Sequence, residues 1–151
     1  MHGLVRPEAL AALAGVSRIV HAGDVGAPAV LRALARVAPV TAVRGNNDRG
    51  AWAARLPVTA RVDVGGRRLL VVHERPHRMA RAPAAGIDVV VTGHSHRPLV
   101  ERRDGVLFVN PGSAGPRRFA LPVTIARLVV SGDGIDATIV LLDPRLRLGS
   151  G

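Results

Sequence analysis

Asp88-Val89-Val90-Val91-Thr92-Gly93-His94-Ser95-His96 is the stretch that decides how this chain folds. A run of β-branched residues between Gly86 and Gly93 reads as a short buried strand, and it empties into a turn that carries a His-x-His pair. The strand therefore delivers two imidazoles to its C-terminal end. In open α/β sheets ligands bind at that end, because loops leaving neighbouring strands converge there. A His pair beside a turn is a weak signal alone, since such pairs are more often solvated or hydrogen-bonded than metal-bound. Its weight depends on what the other strands end in.

Working toward the N-terminus, the same pattern recurs. Residues 18–22 read as a strand ending at Gly23-Asp24, residues 28–36 as a helix with Leu31 and Leu34 inward, and residues 40–44 as a strand ending at Gly45-Asn46-Asn47-Asp48. An earlier helix opens at Arg6-Pro7-Glu8 and runs to Ala14, with Gly15 as its stop and His2 just ahead of it. Strand, ligand-bearing turn and helix in repetition predict βαβ units and a parallel sheet. Trp52 caps a short apolar helix.

From residue 61 onward the pattern changes. Residues 61–64 and 67–72 flank Gly65-Gly66, a favoured two-residue hairpin turn, and the second arm runs into His73-Glu74. Residues 76–86 form an Ala/Arg-rich connector with one or two helical turns. Beyond the His pair come residues 99–102, an Asp104-Gly105 turn, residues 106–109 ending at Asn110-Pro111-Gly112-Ser113, and a closing hairpin of residues 123–130 and 135–142. A parallel half followed by an antiparallel half predicts two sheets packed together with helices outside. Residues 1–144 make one domain, and residues 145–151 a loose tail.

Composition fits that picture. A hydrophobic content of 48% with only 2% aromatics requires a core of Val, Leu, Ile and Ala. There is no cysteine, so neither disulfides nor thiolate sites enter, and no apolar run is long enough to span a bilayer; the expected location is the cytoplasm. The formal charge of +10 raises nucleic-acid binding. Every basic residue is Arg, however, and they are scattered rather than gathered on one face. Composition bias explains the charge better, with attraction of an anionic substrate as its useful consequence.

Collected, the strand ends offer Asp24, Asn46, His73, His94 and His96, with His2 nearby. Imidazole, carboxylate and amide together suit Mn²⁺, Fe²⁺ or Zn²⁺, with Ni²⁺ also compatible, whereas an all-oxygen set would point to Mg²⁺ or Ca²⁺. A carboxylate such as Asp24 can bridge two ions. A metal pair of that kind predicts hydrolysis of a phosphate ester by activated water.

In order, Gly23-Asp24, Gly45-Asn46-x-Asp48, Val72-His73 and Gly93-His94-Ser95-His96 resemble the calcineurin-like metallophosphoesterases. Arg6-Pro7-Glu8, Ala42-Val43-Arg44-Gly45-Asn46 and Asn110-Pro111-Gly112-Ser113 narrow the resemblance to the small prokaryotic phosphodiesterases of that superfamily, relatives of the retromer scaffold subunit. The resemblance implies an α/β fold, a four-layer αββα sandwich of two mixed sheets flanked by helices. It implies one metal position from Asp24, Asn46, His73 and His94, and a second from His2, Asp24 and His96, with Asp24 bridging. It implies Mn²⁺ or a similar ion, two per chain, and a small phosphate-ester substrate; a homo-oligomer is compatible with it.

Three departures from the family pattern follow. The family opens with a strand ending in Asp-x-His-Gly, and Met1 stands at the x, so the aspartate and the strand are not present; a start site read too late in the gene explains this better than an evolved deletion. That strand lies inside the family sheet, so its neighbours are expected to show unpaired backbone and uncovered apolar surface. Asn47 stands where relatives carry His or Cys, and Asn cannot act as a general acid, although it can hydrogen-bond a phosphate oxygen. Glu74 replaces a Gly at the pocket rim.

His94, Asn47, Asp48, Arg117 and Arg118 are the residues assigned to chemistry. His94 lies near the phosphate and Arg117 or Arg118 on its free oxygens, unless the Arg pair is merely solvated. Asp48 orients the Gly45-Asn46 turn or polarises a site group. His21 is expected to be a buried, hydrogen-bonded support, His77 exposed, and Met79 and Trp52 packing residues. Two functions stand: a metal-dependent phosphodiesterase, or a catalytically impaired binding or scaffold module on the same fold.

Overall fold

The structure, a computed structural model, describes residues 1–74 and 86–143. In chain order the elements are α1 (Pro7–Ala12), β1 (Ile19–His21), α2 (Pro28–Ala35), β2 (Val40–Ala42), α3 (Ala51–Ala54), β3 (Thr59–Val64), β4 (Arg67–Val72), β5 (Val89–Val91), β6 (Leu99–Arg103), β7 (Val106–Asn110), β8 (Thr124–Ser131) and β9 (Gly134–Leu141). The connector of residues 76–85, with His77 and Met79, and the tail of residues 145–151 lie outside the described residues. No helix among those described is long and apolar enough to cross a membrane.

Local chemistry accounts for the boundaries. Both α1 and α2 begin with proline, whose fixed φ and missing N–H suit the first helical position, and Glu8 adds a negative charge where the α1 dipole is positive. Helix α1 stops at Ala12, two residues short of the expected end. In α2 the fully buried side chains are Val30 and Leu34, one turn apart, and Leu31 packs at their margin. The turns at Gly65-Gly66 and Asp104-Gly105 hold positive φ at both positions, the geometry that matches the twist of paired strands.

The larger sheet has the order β3-β4-β5-β7-β6. Its centre is parallel, with β5 paired to β4 on one side and β7 on the other, while β3 and β6 add antiparallel edges. The expected division into a parallel and an antiparallel half is thus corrected: β5 inserts between β4 and β7 by crossovers, and its three valines are buried as both faces of a central parallel strand should be. The opposing layer consists of two separate pairs, parallel β1-β2 and antiparallel β8-β9. Between the layers lie Val62, Leu69, Val71, Val89, Val91, Leu107 and Val109 with Ala22, Val43 and Ile135. Helices α1 to α3 cover the outer side of β1-β2 through Leu10, Val30, Leu34 and Trp52. Val72, Val90, Val106 and Phe108 form a further buried cluster of the larger sheet.

The split in the second layer is a slot. The Ile19 N–H donates to the Pro39 oxygen at 2.8 Å and the Val43 N–H to the His21 oxygen at 3.1 Å, so by strand alternation the Val20 amide and carbonyl face away from β2. On the other wall the Thr124 N–H donates to the Ser113 oxygen, away from β9, and the alternation carries Ala126, Leu128 and Val130 to that same side. A cavity of about 400 Å³ lies between these edges, with Leu69, Val91 and Val109 of the larger sheet on its lining. Unpaired edges and uncovered apolar surface were the expected signs of an open sheet position.

Candidate metal centre

Because β1 and β2 run parallel to each other, as do β4, β5 and β7, each group delivers its C-terminal loops to one end. That end gathers Asp24 after β1, Asn46 after β2, His73 after β4, and His94 and His96 after β5. His2 joins them because the His2 N–H bonds the Asp24 oxygen at 2.8 Å and the Gly3 N–H the Val25 oxygen at 2.9 Å. All six candidate ligands meet there.

The distances fall into two linked groups. His73 Nε2 lies 2.8 Å from Asn46 Oδ1 and 3.4 Å from Asp24 Oδ2, and His94 Nδ1 lies 3.2 Å from Asn46 Oδ1 and 3.3 Å from His73 Nε2. His2 Nε2 lies 2.9 Å from His96 Nε2 and 3.7 Å from Asp24 Oδ2. His2, Asp24 and His96 offer ligand atoms that all lie within 4.8 Å of one another. Asp24 Oδ2 belongs to both groups.

These separations test whether the residues fit an ion. Ligands about 2.1 Å from a metal in tetrahedral or octahedral arrangement stand about 3.0–3.4 Å apart. The first group spans that range. The His73 ring is oriented for it: Nδ1–H donates to the Ala22 oxygen at 2.7 Å, which turns Nε2 toward Asn46 Oδ1 and Asp24 Oδ2. The donor set fits a divalent ion.

Electrostatics prepare the same atoms. Burial pushes the His2 and His96 imidazoles below their usual pKa, and the Met1 amine and the Arg118 guanidinium add to it. For Asp24 burial acts upward, but it is outweighed by hydrogen bonds from the Asn47 N–H (2.9 Å) and Nδ2 (3.0 Å), with His73 and His2 after them, and the carboxyl stays below its ordinary range. Asn47 therefore grips the shared carboxylate. A pocket of about 80 Å³ opens beside these groups, lined also by Gly112 and Ser113.

Backbone strain marks the site as well. Among the described residues, six that are not glycine hold positive φ, and His2 (50°), Asp24 (53°), His94 (62°) and His96 (58°) are four of them. Such conformations cost of order 1–3 kcal/mol each and gather where function over-determines the backbone. Nothing in residue type foretold this. Gly45 makes the other close approach: a Cβ there would lie 2.2 Å from both the amide nitrogen and Oδ1 of Asp24.

The assignments to chemistry divide. Asp48 orients the Gly45-Asn46 turn: buried, it accepts the N–H groups of Val25 (3.2 Å), Gly26 (2.9 Å) and Gly45 (2.8 Å), so its oxygens tie the Asp24 and Asn46 loops together. Arg117 reaches toward Asp143 (3.9 Å), whereas Arg118 is the one whose charge acts on His2 and His96. His94 sits at the rim, with Nε2 3.7 Å from Glu74. His21 is buried as expected, but its Nδ1 has no hydrogen-bond partner, so the expected hydrogen-bonded support is corrected on that point. Trp52 lies in α3 and packs on the outer core. Asn110 has a larger part than a strand-ending turn suggested, since its Nδ2 donates to the Gly93 oxygen (2.8 Å) and Ser95 Oγ (3.1 Å) and so fixes the turn that aims His94 and His96.

Comparison with known proteins shows the family. A "Probable metallophosphoesterase" of Methanothermobacter thermautotrophicus is 30% identical over 142 residues, 89% of this chain and 81% of that protein. In fold, the chain is similar to an archaeal phosphodiesterase (TM-score 0.68, 20% identity, 83% of this chain and 84% of that one) and to Vps29 of Entamoeba histolytica complexed with zinc (TM-score 0.68, 17% identity, 93% and 91%). Residues 1–133 match the calcineurin-like phosphoesterase superfamily domain, and the chain belongs to that superfamily.

Proposed function

We propose that this protein is a metal-dependent phosphodiesterase that takes a small phosphate ester. The observation that carries the reading is the ligand geometry: carboxylate, amide and imidazole atoms at ion-sharing distances around one shared oxygen, Asp24 Oδ2. Asp24, Asn46, His73 and His94 would hold one divalent ion and His2, Asp24 and His96 a second, with Mn²⁺ the first candidate and Zn²⁺, Fe²⁺ or Ni²⁺ acceptable to the same donors. Such ions, when bound, bring the pKa of water toward ~7 and offset phosphoryl charge.

The chain's own groups do the rest. Asn47 holds both carboxylate oxygens of Asp24 in place, and the Ala22 carbonyl fixes the tautomer of His73. Arg118 adds positive charge on the pocket side that an anionic phosphate enters. The archaeal neighbour described as a phosphodiesterase and the zinc-complexed Vps29 support hydrolysis and metal binding respectively.

The test is turnover of bis(p-nitrophenyl) phosphate with Mn²⁺ by the wild type, Asp24→Ala and His94→Ala. Activity lost in both variants is the expected result, and unchanged turnover in both refutes the reading. One observation favours the second reading, a non-catalytic binding module: Asn47, at the position suited to a leaving-group acid, is committed to Asp24. Saturable Zn²⁺ binding without turnover under any divalent ion would decide for it.

A further inference from the structure

Of the six non-glycine residues with positive φ, four are candidate ligands and Asp104 belongs to a two-residue hairpin turn where that geometry is routine. The sixth is Phe119, at φ 54° and 93% exposed. A bulky residue in that conformation is strained, and a ring in water gains nothing from the fold in return. The chain has three aromatic residues. Phe108 is buried in β7 and Trp52 packs on the outer core, so Phe119 is the ring offered to solvent.

Its place is the loop that leaves β7 and walls the metal pocket with Pro111, Gly112, Ser113 and Ala114. The loop is fastened there. Arg6 Nε donates to the Gly115 oxygen at 3.1 Å, and Gly115 lies so near Met1 that a Cβ would stand 2.2 Å from the Met1 oxygen. The Leu121 N–H donates to the Arg118 oxygen at 3.2 Å, closing a turn in which Phe119 follows Arg118 directly. The ring is thus one residue from the guanidinium that acts on His2 and His96.

We propose that Phe119 is a stacking platform for a planar aromatic group, a nucleobase or an aryl ring, carried by a phosphate ester whose anionic end lies by Arg118 and the metal pocket. The inference rests on the phosphodiesterase reading and names its substrate class: aromatic or nucleotide-type esters over aliphatic ones. Base–aromatic stacking contributes ~1–3 kcal/mol per base.

The test measures binding by calorimetry to the full chain loaded with Mn²⁺ or Zn²⁺, with AMP, phenyl phosphate and ribose 5-phosphate as probes. Wild type should bind AMP about tenfold tighter than ribose 5-phosphate, the equivalent of about 1.4 kcal/mol. Phe119→Ala and Phe119→Leu should erase that preference and Phe119→Trp keep it, with ribose 5-phosphate unchanged in all. Phenyl phosphate sharing the gain assigns the platform to any flat ring; AMP alone gaining assigns it to a nucleobase. Equal binding of AMP and ribose 5-phosphate by wild type, or a preference that survives Phe119→Ala, overturns the proposal while leaving the phosphodiesterase reading intact. Failure of every phosphate probe to bind the wild type removes that reading and this inference with it.

Discussion

Replacing Asp48 by alanine should cost the protein much of its stability without touching a ligand atom. The carboxylate accepts three backbone N–H groups, from Val25, Gly26 and Gly45, and the bonds to Val25 and Gly45 are buried. A hydrogen bond to a charged acceptor is worth ~1.5–3 kcal/mol net, and the two buried donors find no water to replace it. The expected loss is therefore ~3–5 kcal/mol, a large share of the ~5–15 kcal/mol that holds a domain together. Asp48→Asn keeps one acceptor oxygen and should lose about half as much. Urea denaturation followed by circular dichroism reads both variants, with the slope held in common. A loss below ~1 kcal/mol for Asp48→Ala would show that the loops after β1 and β2 are not held as described.

The buried His21 has its pKa lowered to about 3, by burial first. Its unfolded-state value stays near ~6.5, so below that pH the unfolded chain takes a proton that the folded one refuses, and stability should fall by ~1.4 kcal/mol per pH unit as pH drops toward 3. His21→Leu should remove that component, visible as a flatter melting-temperature profile between pH 6.5 and 4; an unchanged profile contradicts the assignment. Gly45→Ala places a Cβ against Asp24 and should cost ~2–3 kcal/mol together with most metal affinity, read by denaturation and Zn²⁺ titration. Zn²⁺ at a hundred times its Kd should stabilise the wild type by ~2.7 kcal/mol and Asp24→Ala hardly at all; equal shifts in differential scanning would place the ion elsewhere.

Much of this was legible in the residues. Val89-Val90-Val91 followed by Gly93 is a buried central strand and a ligand-bearing turn, because β-branched runs and glycine have few other uses in that order. The glycine turns fixed both hairpins of the larger sheet for the same reason. What the residues did not disclose depends on distant partners. The part of Asp48 in orienting the Gly45-Asn46 turn is local and legible, whereas its bonds to the Val25 and Gly26 amides depend on a loop more than twenty residues away. The insertion of β5 between β4 and β7 is a matter of crossover, which period and propensity do not encode. The burial of His21 follows from its place in a short strand, but its unpartnered Nδ1 depends on surroundings that residue type does not encode.

The slot between β1 and β8 has a consequence of its own. A sheet ordinarily keeps its loose amides at its rims, where charge, proline or a bulge discourages company. Here the amides of Val20, Ala126, Leu128 and Val130 belong to a seam through the middle of a layer, with Leu69, Val91 and Val109 behind them. Deuterium should enter this seam ahead of the periphery, reversing the usual order of exchange.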